Sequence, residues 1–569
     1  MLYEYETLPS ARSIRILTLC PAEQHNDAIE CMIEATELEE ASYDALSYSW
    51  GMNEDGDSSQ DYEIFIHGNR KWVTRNLFEG LERIRVCDKP IRIWIDALCI
   101  NQQDDVERSV QVAMMADIYA RAEKVLVWLG NGTEEKEDLL MLELFHRIKK
   151  RTEQIKPWKK PKLLNQNCFV LPLLSKDCLP CPGCVAYQQS ESSGGDLDDY
   201  VAHVDWLKEC LRSNDSLKQT AVDMINMVIR FFSRRYWKRR WILQELFFSN
   251  THYWYWGQHV LDTSKVPENW IVDLVFATWL VRYGLLQSST NFPELADDDS
   301  FDTRTRGLSR LCNSQNHDTR TMERESWNWL LSNFRSSECS EPKDMYYALA
   351  SMAIPSIRID YSLTIAQVFQ QFAETMLDND AWIWVFYWAT ETPNNQESLR
   401  MPSWVPDPRL VNFDFGVYDT KPPMGIQISQ RNSLVCDVSC LGVLRTHEEV
   451  NVDPDPHWGT HGFHAVWDDL FWQVCSSRKP SDEISEVIQP SPLKLRIDSN
   501  NAQSGDILCS CLEELTDLDV WIILRRKGET QTYELVGTRN PWSAYLKSLP
   551  MEQREQSFSK CPKIKMRIV

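Results

Sequence analysis

No run of this 569-residue chain is both apolar enough and free enough of charge to span a membrane. The best candidate, Trp270–Gln287, carries Asp273 and Arg282 in its interior, which predicts a packed helix instead. The opening MLYEYETLPS lacks the basic start and apolar stretch of an export signal. Positive charge is also short: 60 Lys and Arg stand against 83 Asp and Glu, a net charge of −23. Such a chain repels phosphate backbones, so no nucleic-acid partner is expected; the local basic patch SRRYWKRR (Ser233–Arg240) is short and broken by aromatics. H-E-x-x-H, the phosphate loop and G-x-S-x-G are all missing, and there is no internal repeat. Seventeen cysteines without an export signal point to reduced thiols in a soluble, cytoplasmic protein.

What is present is a globular composition, 43% apolar and 11% aromatic, in a chain too long for one core. The 23 tryptophans are expected mostly as large core fillers. Ser13–Leu17, Ala45–Ser49, Ile91–Ile95 and Val125–Leu129 have the character of strands, the last a continuous apolar run suited to a parallel sheet. Glu63–Thr74 predicts a hairpin turning at Gly68-Asn69, and Thr74 can cap the next helix. A helix beginning at Asp104 or Asp105 carries Val106, Val110, Met114 and Ile118 every four residues, the expected buried face. The pattern weakens over about 131–227, an expected insertion, and returns with a helix at Asp223–Phe232. The organisation expected is an α/β domain over 1–255, a helical region over 256–400 and a β-rich region over 401–569.

Three constellations could carry chemistry. In a helix over Tyr236–Phe248, Trp237, Trp241 and Glu245 would share one face. A carboxylate among tryptophans resists ionisation, and an aromatic wall can stack a planar ligand. The bland alternative pairs Glu245 with Arg239, Arg240 or Arg235 and puts the tryptophans in the core. Asp96 follows a strand, with Asn101, Gln102 and Arg108 just beyond, where open α/β sheets bind ligands; equally, Asp96 and Asn101 could cap backbone groups while Arg108 makes an ion pair. Cys178, Cys181 and Cys184, with Cys168 and either Cys210 or His203, could hold zinc, though Pro180 and Pro182 favour an ordinary turn, and no metal site is assigned.

The segments YDALSYSWG (Tyr43–Gly51), NLFEGLERIR (Asn76–Arg85), WIDALCINQQDDVERSVQVAMMADIYARAEKVLVWLG (Trp94–Gly130) and RRYWKRRWILQE (Arg234–Glu245) resemble the heterokaryon-incompatibility (HET) domain of filamentous fungi. EPKDMYYALASMA (Glu341–Ala353), IDYSLT (Ile359–Thr364) and MPSWVPDP (Met401–Pro408) resemble the region C-terminal to that domain in long members of the family. The divergent stretch between the two main blocks has no counterpart in the family pattern. The resemblance implies non-self recognition between fungal individuals and the cell death that results from incompatible fusion. It extends distantly to Toll/interleukin-1 receptor (TIR) domains, implying a flavodoxin-like parallel sheet. Against their late helix motif, Ser233, Tyr236, Trp241, Leu243, Glu245 and Leu246 align. The glutamate that catalytic TIR domains need to cleave NAD falls on Glu245. On that resemblance NAD is a substrate, no cofactor is required, Trp50 or Trp241 stacks a ring, and Asp96, Asn101, Gln102 and Arg108 line the cleft. The C-terminal half would sense or restrain the domain, which would act on self-association. The rival expectation is a non-catalytic module recruiting protein partners through exposed helix faces.

Overall fold

A computed structural model of the chain describes residues 1–24, 27–50, 59–132, 135–154, 215–249, 251–263, 324–379, 382–391, 401–411, 427–429, 433–446, 462–467, 489–490, 496–498, 502–510, 521–528, 532–539, 561 and 563–568. The Cys178–Cys184 cluster with Cys168, His203 and Cys210, and the apolar stretch Trp270–Gln287, lie outside these residues. Among the described residues no helix is long and apolar enough to cross a membrane. The chain forms two compact units: Met1–Ile354 with Arg358–Ser362, and Pro355–Ile357 with Leu363–Val569.

The first unit is built on a nine-stranded mixed sheet. Its strands are β1 (Ser13–Leu19), β2 (Glu30–Glu37), β3 (Asp44–Tyr48), β4 (Tyr62–Ile66), β5 (Asn69–Val73), β6 (Ile91–Trp94), β7 (Val125–Trp128), β8 (His252–Trp256) and β9 (His259–Asp262). They lie in the order β5-β4-β2-β1-β6-β3-β7-β8-β9. The centre, β6-β3-β7-β8, is wholly parallel. Numbered along the chain, these four strands lie in the order second, first, third, fourth, as in flavodoxin-type sheets. Every residue of β7 is buried, which a strand covered on both faces requires. Antiparallel strands extend the sheet on each side, β1 pairing with β6 and β2, and β9 with β8. The expected parallel sheet is therefore the core of a broader mixed one. β2 is an acidic strand, yet its Glu30, Glu34 and Glu37 do not prevent a register running from Ser13↔Glu37 to Leu19↔Cys31.

The hairpin β4–β5 turns at His67-Gly68, one residue earlier than expected, both with positive φ (50° and 74°) as a two-residue turn of this kind needs. Thr74 caps α1 (Arg75–Ile84) through Leu77 N, and Asp104 caps α3 (Asp105–Ala113) through Val106 N and Glu107 N, the single turn α2 (Asp96–Cys99) lying between them. The four-residue repeat does not make one buried face, however. The helix breaks at Met114 before α4 (Met115–Arg121), so Met114 and Ile118 are buried while Val106 is 72% and Val110 36% exposed. α3 instead buries Val112 and Gln111, whose amide donates to Ser13 O of β1 at 2.9 Å.

Residues 324–354, expected in a helical middle region, belong to this first unit. They carry the helix Trp327–Asn333, capped by Ser326, and a short turn of helix at Asp344–Tyr347.

The second unit begins with the helix Ile365–Leu377, opened by a capping box between Thr364 and Gln367. After the helix Trp382–Glu391 it is β-rich, as expected. Strands Ser433–Thr446, Ile507–Ser510, Trp521–Arg526, Thr532–Arg539 and Lys563–Ile568 pair in succession, and the last returns to the first through Leu434↔Ile568 to close a barrel. A bulge between Cys440 and Gly442 interrupts the register of the long first strand, allowing a bend.

Candidate functional site

The carboxyl ends of β3 and β6 meet a segment that the sequence predicts as one helix and the structure divides. Arg235–Lys238 is a turn of 3-10 helix, Arg239 is extended (φ −68°, ψ 135°), and a new helix covers Ile242–Phe247. Trp237, Trp241 and Glu245 therefore do not share a face. Trp237 is buried among Phe231, Phe232, Tyr236 and Trp254. The break has a partner: Arg240 N donates to Glu338 O at 2.9 Å and Glu338 N to Lys238 O at 2.5 Å, a bridge to chain about a hundred residues on.

Glu245 is 1% exposed. Ser47 Oγ of β3 donates to its Oε2, and the same hydroxyl lies 2.7 Å from Tyr236 OH. Arg239 Nη1 stands 3.5 Å from Oε1 and also donates to Tyr48 O. Burial raises the Glu245 pKa to about 7, against the pull of Arg239 and with a push from the charge of Asp96. Burial also raises Asp96, again opposed by Arg239. For Arg239 itself burial acts downward, but the charges of Glu245 and Asp96 more than offset it and hold the guanidinium cationic. Two carboxylates thus act on one guanidinium, and burial favours the protonated form of each against its pull. Beside them the Tyr48 hydroxyl and Ser49 Oγ, at the end of β3, are buried with no hydrogen-bond partner among the described residues.

Above this group opens a cleft of about 410 Å³. Trp50 and Trp241 contribute aromatic surface to it, Arg108, Arg235, Lys238 and Arg239 cationic groups, and Glu338, Glu341 and Asp344 carboxylates. Of the residues singled out in the sequence, the structure brings Trp50, Arg108 and Trp241 to this one cleft. Arg239 lines the cleft while Glu245 does not, so the guanidinium lies between carboxylate and opening. Asp96 sits with Arg239 and Glu245 electrostatically, and its Oδ1 accepts from Ala97 N at 2.7 Å. Asp96, Asn101 and Gln102, all expected to line the cleft, do not. Asn101 Oδ1 accepts from Gln103 N at 3.2 Å, and Gln102 Nε2 donates to Asp96 O at 2.9 Å, so both brace the loop after β6. That loop is anchored by Glu107, which accepts from Asn101 N at 2.7 Å and pairs with buried Arg15 at 2.6 Å. Arg108 lies over the ring of Tyr361, 3.6 Å from its centroid.

Sequence reasoning missed Ser47, Lys238, Asp344 and Tyr361. The basic patch at Ser233–Arg240 was a signal for the cationic wall, and the segments around Asp344 and Tyr361 stood out without a role. Among the described residues no three His, Cys, Asp or Glu converge as a metal site.

A family model described as heterokaryon incompatibility protein (HET) matches residues 43–245, a span that begins just before β3 and ends on Glu245 itself. The chain is also 33% identical over 157 residues to heterokaryon incompatibility protein 6, OR allele, of Neurospora crassa. That alignment covers 24% of this chain and 22% of the relative, so the two share one region and not their whole lengths. No solved structure matches.

Proposed function

We propose that this chain, whose residues 43–245 match the HET family model, acts in heterokaryon incompatibility by cleaving NAD in the cleft above Glu245. The observation that carries the proposal is the raised, buried Glu245 beneath an aromatic and cationic cleft at the carboxyl ends of parallel strands. Rupture of the C1′–N bond sends its electron pair to nicotinamide, which leaves neutral and needs no proton. The ribose left behind is an oxocarbenium ion, which a nearby carboxylate stabilises. Water then adds at C1′ and gives up a proton, yielding ADP-ribose.

In this reading Trp50 or Trp241 stacks a ring, and Arg108, Lys238 and Arg239 meet the diphosphate. Arg239 turning from Glu245 toward a phosphate uncovers the carboxylate for the ribose. Cell death would result from loss of NAD. Cytoplasmic action, self-association and protein partners belong to the same proposal, with the second unit as sensor or restraint.

A second reading, a non-catalytic recruiting module, draws support from the seal over Glu245 and from exposed Val106 and Val110 one turn apart on α3. NAD loss and nicotinamide release by the full chain at high concentration, beside Glu245→Gln, separate the two. Release by wild type and not by the folded variant supports cleavage; equal absence in both favours recruitment.

A further inference from the structure

We infer that Asp344 and Tyr361, which lie beyond the matched HET region, are positioning residues that set the Trp241 and Arg108 walls of the cleft. The inference rests on the reading of that cleft as the nucleotide site.

Asp344 is buried, and both of its oxygens are occupied. Oδ2 accepts from Trp241 Nε1 at 3.0 Å, and Oδ1 accepts from Tyr361 OH at 2.6 Å. An indole can slide on an apolar surface; one whose N–H is held by a buried carboxylate is fixed in both tilt and depth. Tyr361 serves twice. Its hydroxyl orients Asp344, and its ring face carries the Arg108 guanidinium in a cation–π contact that fixes where that charge stands.

Tyr361 is itself pinned by bonds that have no part in the cleft. Its N–H donates to Ser109 Oγ at 2.8 Å, and its carbonyl accepts from Lys343 Nζ at 2.9 Å. The neighbouring Asp360 carbonyl accepts from Tyr347 OH at 2.9 Å. The chain returns to the first unit here for five residues, Arg358–Ser362, between stretches belonging to the second. Tyr361 is what that return delivers. The segments around Asp344 and Tyr361 thus acquire a role that neither their composition nor their distance from residue 245 discloses.

The test uses the full chain with Tyr361→Phe, which keeps the ring under Arg108 and removes the bond to Asp344, and with Asp344→Asn. Affinity for NAD and for ADP-ribose is measured by calorimetry, and nicotinamide release gives KM and kcat. A positioning role predicts that each variant weakens ADP-ribose binding and raises KM by about 10- to 100-fold, the scale of one hydrogen bond to a charged group, with kcat unchanged. A purely structural role lowers the folded fraction, so that kcat per mole falls while KM and the dissociation constant of the folded protein stay put; that result overturns the inference. Wild-type binding that both variants match overturns it as well, leaving the function intact. Binding of ADP-ribose without cleavage of NAD defeats the catalytic reading alone, and the dissociation constants still decide the positioning. Wild type that binds neither nucleotide defeats both.

Discussion

Removing residues 264–569 takes away far more than a C-terminal extension. Arg240 is fully buried, and its guanidinium donates to Ser337 Oγ at 2.9 Å, Met345 O at 2.5 Å and Phe334 O at 3.1 Å, all on the segment 324–354. Gln244 Nε2 donates to Tyr347 O and Ala348 O of the same segment, and Trp241 to Asp344. A hydrogen bond from a charged donor contributes roughly 1.5–3 kcal/mol, so the three from Arg240 amount to roughly 5–9 kcal/mol. Whole domains are stable by only about 5–15 kcal/mol. Truncation also removes Trp327, Leu330 and Tyr346, all fully buried in the intact chain. Fragment Met1–Thr263 is therefore expected to lack a cooperative thermal transition, whereas Met1–Ser362 melts cooperatively. Circular dichroism melts of both, with size-exclusion profiles to detect aggregation, make the comparison. A cooperative transition in Met1–Thr263 at the temperature of the longer fragment refutes the claim that this segment completes the fold.

Two further perturbations act elsewhere in the first unit. Because burial raises Glu245 to about 7, folding favours its protonated form; that stability is present below the ordinary carboxylate range and is lost as pH rises through about 7. The change is on the order of 3 kcal/mol, and Glu245→Gln lacks it, so urea titrations of the two proteins at pH 5 and pH 8 should diverge in favour of the variant at pH 8. His252, lowered by burial to about 4, loses stability in the opposite direction as pH falls, but it is common to both proteins and cancels; parallel curves would refute the placement of Glu245. At Gly132 a Cβ would lie 2.0 Å from Asp138 Oδ2, and Asp138 pairs with Arg234 at 3.1 Å with both side chains buried. Gly132→Ala is expected to cost roughly 3–5 kcal/mol, the scale of breaking a buried pair, and an unchanged melting temperature would refute it.

The central strand Val125–Trp128 was legible because a strand buried on both faces tends to be a continuous apolar run; Ala45–Tyr48 is as buried but carries Ser47, which the site uses. The caps at Thr74 and Asp104 were legible for a local reason too, since a cap bonds backbone two or three residues away. What periodicity could not see was distant chain. Tyr236–Phe248 has helical spacing throughout, yet it breaks at Arg239–Arg240, where the backbone pairs with Glu338. Val106 and Val110 repeat correctly but precede a break at Met114, so they end in solvent. The barrel closes only when Ile568 reaches Leu434, a pairing across most of the second unit. In the site, aromatic and cationic residues were identifiable by type. The loop-bracing bonds of Asn101 and Gln102, and the carboxylate beneath Trp241, depend on geometry that type does not encode.

The most direct test is nicotinamide release from NAD by the full chain as a function of pH. If the ionised Glu245 carboxylate stabilises the ribosyl cation, release rises with pH through an inflection near 7 and vanishes in Glu245→Gln. Equal release by the folded variant, or none from folded wild type between about pH 5 and 9, would contradict the account.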